Sequence, residues 1–203
     1  MKHCLALVSF GLLLLGLAGC SGKVPKTYHY SLESSLPAPP AVSTYPVVLA
    51  VSRFQAPRAL SQDRLVFRPE PNKVDFYEYH RWVEAPPDMV TRNIIKQLQN
   101  AGMFRSVTQS QGGPQVEYIL RGNIESLEEV DSADNVVGRV VLNAELVDAK
   151  TRAIVWTGRG AHEAAVEQRS VDSIVRVLNE GVRQSIEHLL RGLAAYFQSR
   201  PAP

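Results

Sequence analysis

Two stretches of alternating residues constrain the fold most. Val116, Tyr118, Leu120, Gly122 and Ile124 alternate with Glu117, Arg121, Asn123 and Glu125. Further on, Val136, Gly138, Val140, Leu142, Ala144 and Leu146 alternate with Arg139, Asn143 and Glu145. A period of two points successive side chains to opposite faces, so each stretch is a long strand with one dry and one wet face. A sheet of such strands must bury its dry face against another layer. The acidic, polar segment Glu128–Asp134 between them is expected to turn in solvent. Asp148-Ala149-Lys150-Thr151 forms a second turn before Ile154-Val155-Trp156, which makes a three-strand meander.

The covering layer comes from two helices. Pro86-Pro87-Asp88 opens the first, with proline tolerated in the first turn and the Asp carboxylate facing the positive end of the helix dipole. Val90, Ile94, Leu98 and Ala101 line one of its faces and Gly102 stops it. Ser170 caps the second, with Asp172 in its first turn. There Ile174, Leu178, Val182, Ile186, Leu189, Leu193 and Phe197 recur every three or four residues. The opposite face, with Glu180, Arg183, Gln184 and Glu187, carries both charge signs, so the stripe belongs to a core rather than to a helix lying in a membrane.

The rest fills in the sheet. Tyr28–Glu33 reads as a short strand, and Ser34–Tyr45, with its prolines, as an extended loop. The apolar run Val47–Phe54 reads as a central strand buried on both faces. Leu65–Arg68 and Lys73–Val83 form a hairpin across Pro69-Glu70-Pro71-Asn72, and Phe104–Thr108 is a further strand. The expected architecture is α+β, a two-layer sandwich with a mixed, mostly antiparallel sheet and two helices packed on one face.

Lys2 and the apolar run Cys4–Leu17 precede Leu17-Ala18-Gly19-Cys20. The apolar run is too short for the ~20 residues that span a bilayer, and the tetrapeptide resembles the lipobox of bacterial lipoproteins. That resemblance implies cleavage before Cys20 and acyl chains on its sulfur, with no other cofactor. Two or three chains would hold the protein durably, since each buried methylene contributes ~0.8 kcal/mol. Residues 1–19 are then a signal peptide, 20–27 a lipidated tether, 28–199 one sandwich domain and 200–203 a disordered tail. Ser21 after the cysteine implies, by the sorting rule of such lipoproteins, the periplasmic face of the outer membrane. With Cys20 modified no disulfide can form, so the core alone must hold the fold.

A formal net charge of +2 without a basic block argues against nucleic-acid binding. No Gly-x-Ser-x-Gly elbow, paired zinc histidines or phosphate loop occurs, and Gly158-Arg159-Gly160 lacks the third glycine of a dinucleotide loop. Catalysis is therefore not expected. A buried Glu78 and His80 pair in a cleft would be needed to revive a hydrolase. Arg53, Arg58, Arg64 and Arg68 suggest an anionic headgroup site, but Asp63 and Glu70 among them favour scattered, solvated charge.

The densest unusual stretch is Phe76-Tyr77-Glu78-Tyr79-His80-Arg81-Trp82. On a regular strand Phe76, Glu78, His80 and Trp82 share one face and Tyr77, Tyr79 and Arg81 the other. It is either an amphipathic core strand or a contact surface, since Tyr, Trp and Arg dominate binding hot spots. The run Asn72–Pro86, with Arg64-Leu65-Val66-Phe67-Arg68, the Cys20 lipobox and Val147-Asp148-Ala149 before Ile154-Val155-Trp156, resembles the auxiliary lipoproteins of ABC-type transport systems, closest to the paraquat-inducible protein C type. The resemblance implies a non-enzymatic α/β sandwich that works with an inner-membrane transporter and an MCE-domain protein in lipid transport across the periplasm, some members assembling as rings. On that reading Tyr77, Tyr79, His80, Arg81 and Trp82 form the contact with the tunnel protein or a second copy. The alternative is a carrier that holds a lipid tail in an apolar cavity between sheet and helices.

Overall fold

The computed structural model describes residues 25–33, 44–109, 113, 115–131 and 135–199. Cys20 and the tail 200–203 lie outside them, as does most of the expected loop at Ser34–Tyr45. Among the described residues, eight strands and two long helices follow in the expected order. They are β1 (Tyr28–Tyr30), β2 (Tyr45–Val51), β3 (Arg64–Glu70), β4 (Lys73–Trp82), α1 (Pro86–Ala101), β5 (Phe104–Gln109), β6 (Tyr118–Asp131), β7 (Val136–Asp148), β8 (Ile154–Ala165) and α2 (Val171–Gln198), with a short 3-10 turn at Arg58–Ser61. The strands form one mixed sheet and both helices contribute to its single large core, which makes an α+β sandwich.

Strand β6 organises the sheet. One edge pairs antiparallel with β7 along its whole length, and β7 pairs with β8 in the expected meander. The other edge is shared. Leu49–Val51 of β2 run parallel to Tyr118–Leu120, while Phe67 and Arg68 of β3 run parallel to Glu129 and Val130. The sheet thus forks into a β2–β5 branch and a β3–β4–β1 branch. The connecting segment stays on β6: Ser52 N–H donates to Leu120 O (2.9 Å), Gln55 N–H to Gly122 O (2.8 Å) and Ile124 N–H to Gln55 O (2.8 Å). As the apolar run predicts, β2 is internal, between β6 and β5.

The expected solvent turn at Glu128–Asp134 is a correction. Strand β6 continues to Asp131, and Glu128 and Glu129 are both buried. A register shift between Ile124 and Ser126 resets the alternation, and the β3 branch supplies partners for both carboxylates. Strand β8 also runs to Ala165, well past Ile154-Val155-Trp156. Its apolar signal fades because small residues replace large ones where α2 lies close. A Cβ at Gly160 would stand 2.3 Å from the Ser185 backbone oxygen of α2.

The helix signals hold. The Ser170 side chain accepts from Ser173 N–H, and α1 ends at Gly102 with φ 64°, its N–H donating to Gln99 O. Leu178, Val182, Ile186, Leu189 and Leu193 of α2 and Val90, Ile94 and Leu98 of α1 are all buried in the core. The N-terminal segment stitches this layer together. Tyr30 Oη donates to Asp172 (2.8 Å), Glu33 N–H to Asn179 Oδ1 (2.9 Å), and Asn93 Nδ2 to Leu32 O (2.7 Å).

Gly160→Ala forces the α2 backbone away from β8 and should cost about 1–3 kcal/mol, the usual range for overpacking. Gly102→Ala leaves open space around the new methyl and should lose only about 1 kcal/mol to left-handed strain. Urea unfolding of the two variants gives this order.

Candidate functional site

The aromatic strand β4 is irregular. Arg64 pairs with Arg81, yet Val66 pairs with Phe76, so extra residues of β4 bulge between Phe76 and Arg81. The strict division of the strand into two faces therefore fails. Tyr77 lies edge-on to His80 with ring centroids 5.8 Å apart, although three positions along a regular strand would separate them. Trp82 is 2% exposed and sits in the core.

His80 is enclosed by rings, with Tyr28 and Tyr30 stacked on it at 5.2 and 5.8 Å. Its Nδ1 is 2.9 Å from the Tyr30 hydroxyl, whose single proton goes to Asp172 Oδ1 at 2.8 Å. Nδ1 must then carry the proton it shares with Tyr30. Burial, followed by the hydrogen bond to Asp172, pushes the Tyr30 phenol up to about 12. This chain of groups ends in the first turn of α2, so His80 and Trp82 point to the helical side. Arg81, between them, points to the helix-free side and pairs with Asp63 at 3.1 Å. Tyr79 is half-exposed and Glu78 exposed. Glu78 and His80 thus do not meet in a buried pair.

Tyr77 donates to Glu129 Oε2 at 2.5 Å. Burial raises the Glu129 carboxyl above the ordinary carboxylate value despite that hydrogen bond, and burial with the same bond raises the Tyr77 phenol. On the adjoining residue, Arg68 forms two hydrogen bonds to Glu128, at 3.4 and 3.1 Å. The suspected arginine cluster is dispersed among internal partners: Arg53 holds Asp88 (2.6 and 2.9 Å), Arg64 lies 4.5 Å from the Phe76 ring centroid and Arg68 holds Glu128.

The helix-free face of the sheet carries cross-strand charge rows. Arg121 pairs with Glu145, Arg159 with Glu125 and Arg139 with Glu163. A groove of ≈ 590 Å³ opens there beside the fork, with Ile119 and Val147 among its apolar lining and Arg53, Gln55, Arg121, Asn123, Asn143 and Arg152 among its polar lining. Arg152 adopts φ 64°, in a turn where Asp148 Oδ1 accepts from Lys150 and Thr151 N–H (3.0 and 2.7 Å). Sequence reasoning marked Arg121, Asn123 and Asn143 as the wet face of alternating strands without seeing that they border a groove. Nothing local in the sequence signals the left-handed Arg152. The rings around His80 were missed because Tyr28 and Tyr30 lie fifty residues upstream. Among the described residues, no group of three His, Cys, Asp or Glu side chains is placed to hold a metal ion, and no helix is long and apolar enough to cross a membrane.

This fork-sheeted sandwich is a known arrangement. A solved Xanthomonas campestris protein of the family DUF330 superposes with a TM-score of 0.73 at 16% identity, covering 84% of this chain and 97% of that one. A second solved structure, titled only as an uncharacterized protein, gives 0.66 at 14% identity, covering 83% and 99%. No curated protein matches the sequence. The family described as the ABC-type transport auxiliary lipoprotein component matches residues 30–189. The chain belongs to that family of transport lipoproteins.

Two predictions test the polar contacts. Arg68→Met strands the buried Glu128 carboxylate and should cost about 3 kcal/mol, most of which the double change with Glu128→Leu recovers, measured by urea denaturation. The hydrogen bond from Arg183 lowers the Glu180 carboxyl to about 2 from its ordinary 4.5. A depressed folded value contributes stability above pH 4.5 that is lost as pH falls from there towards 2. Glu180→Gln should therefore flatten the acid limb of the stability curve while leaving its neutral slope unchanged.

Proposed function

We propose that the protein is an envelope lipoprotein, anchored by acyl chains on Cys20 at the periplasmic face of the outer membrane. It docks and tethers an ABC-type transport system that moves lipid between membranes with an MCE-domain protein. The family match over residues 30–189 carries this reading, and the lipobox at Cys20 supports the anchor. The action is mechanical, with no chemistry on a substrate. The segment that follows the tether fastens to both helices through Tyr30, Leu32 and Glu33, so a pull on the anchor is transmitted to the core.

Of the five residues that the sequence nominates for the partner contact, Trp82, Tyr77 and His80 are engaged within the domain. The docking surface then uses Tyr79, Arg81 and the helix-free face beyond them. The partner is the MCE-domain protein or a second copy of the chain. The groove on that face is lined by charged and amide groups, which suits a carboxylate or a headgroup better than the acyl tail of the carrier alternative.

Cys20→Ala should move the protein from the membrane to the fraction released by osmotic shock. A photo-crosslinker at Tyr79 in cells should capture the MCE-domain protein or a second copy. Capture of lipid alone, or of nothing, overturns the docking role.

A further inference from the structure

Large apolar side chains are well hidden on this domain. Among the described residues the exposed ones are Tyr28 (46%), Val74 (40%), Val83 (52%) and Ile154 (49%). Three of these four lie along one sheet edge. Tyr28 begins β1, the outermost strand of its branch, Val74 lies on β4 beside it, and Val83 directly follows β4 with its N–H bonded to Tyr30 O at 2.8 Å. Such clustering on one edge is unlike the isolated exposed apolar residues that any soluble surface carries.

The same edge is where the chain leaves the domain. Strand β1 runs parallel to β4, with Tyr28 opposite His80, so residues 25–27 lead into it from the side on which β4 starts. Lys26 stays beside this strand, its ammonium 5.1 Å from the Tyr28 ring centroid. From Cys20 to Pro25 the chain spans five residues, at most about 18 Å when fully extended. The polar layer of a bilayer leaflet takes up about 5–8 Å of that.

We infer that the β1–β4 edge rests on the membrane surface, with Tyr28, Val74 and Val83 in the headgroup layer. This rests on the lipid anchor at Cys20 and adds the orientation of the domain above it. Tyrosine and lysine suit that layer, since each pairs an apolar body with a polar tip. The depth is limited as well. Beyond the short pairing with β1, the outer backbone groups of β4 have no strand partner among the described residues. They need water or headgroups as hydrogen-bond partners, so the edge lies in the interface and does not enter hydrocarbon. Lys26 and Lys73 share the edge with Asp75 and Glu78, all exposed, and this balance makes the contact independent of anionic lipid. The helix-free face then stands upright, open to a protein partner.

The test uses the full lipidated protein in phosphatidylcholine vesicles, with a single fluorophore placed at position 74, 83 or 154 and a headgroup-nitroxide lipid as quencher. Quenching at positions 74 and 83 should exceed that at 154 at least threefold, and should change little when a fifth of the lipid is phosphatidylglycerol. Adding Tyr28→Ser and Val83→Ser to the protein labelled at 74 should bring its quenching down towards the level at 154 while the protein stays on the vesicles. Equal quenching at all three positions on vesicle-bound protein overturns the orientation and leaves the anchor standing. So does protection of 74 and 83 by a second copy at high surface density that persists on dilution. Failure of the protein to bind vesicles at all counts against the anchor itself.

Discussion

The sharing of one edge of β6 between two strands is the constraint on which the rest of the structure depends. A strand edge offers a fixed row of donors and acceptors, and here β2 uses its first part, the Ser52–Gln55 segment its middle and β3 its last part. Because the backbone groups paired along that edge keep their partners only if all three segments hold register, the two branches are fixed relative to each other. The cost appears at the far end, where Glu128 and Glu129 are drawn inside. Arg68 and Tyr77 from the β3 branch offset it. Those carboxylates therefore act as register marks: a slip of β3 by one residue would leave two buried acids without partners.

Most of the architecture was legible because it follows from periodicity and punctuation. Alternation located β6 and β7, the stripes of α1 and α2 announced a layer on one face, and Ser170 and Gly102 marked helix ends that the structure keeps. The readings that failed share one physical origin, which is interaction between residues distant in sequence. Glu128 and Glu129 read as a turn because acids near Asp131 and Asp134 look solvated, and only Arg68 and Tyr77, some fifty to sixty residues earlier, make burial tolerable. Strand β8 lost its apolar signature to glycines that serve the approach of α2. The bulge in β4 leaves no mark in its own sequence, because a register shift is decided by both strands.

The nominated contact residues teach the same lesson about composition. A run rich in Tyr, His, Arg and Trp satisfies the statistics of a binding hot spot and of a half-buried edge strand equally well, since both need side chains with large apolar bodies and polar tips. Geometry separates the uses. Trp82 fills core, His80 closes a ring stack that ends on Asp172, and Tyr77 satisfies a buried acid. Tyr79 and Arg81 retain access to solvent.

The sandwich leaves the domain few surfaces for recognition. Its helices spend their apolar stripes on the core and cover one face of the sheet, and the N-terminal segment binds both helices before the chain departs towards the tether. A pull at the N-terminus thus meets the short pairing of β1 with β4 first, and Tyr30, Leu32 and Glu33 then pass it to the α1–α2 layer. Since that layer is joined to the forked sheet through one continuous core, displacement at the tether moves the whole domain as a body. With the proposed lipid anchor at Cys20, such a coupling would turn a foothold into an orientation, which a charge-patterned sheet face needs in order to meet the same partner surface each time.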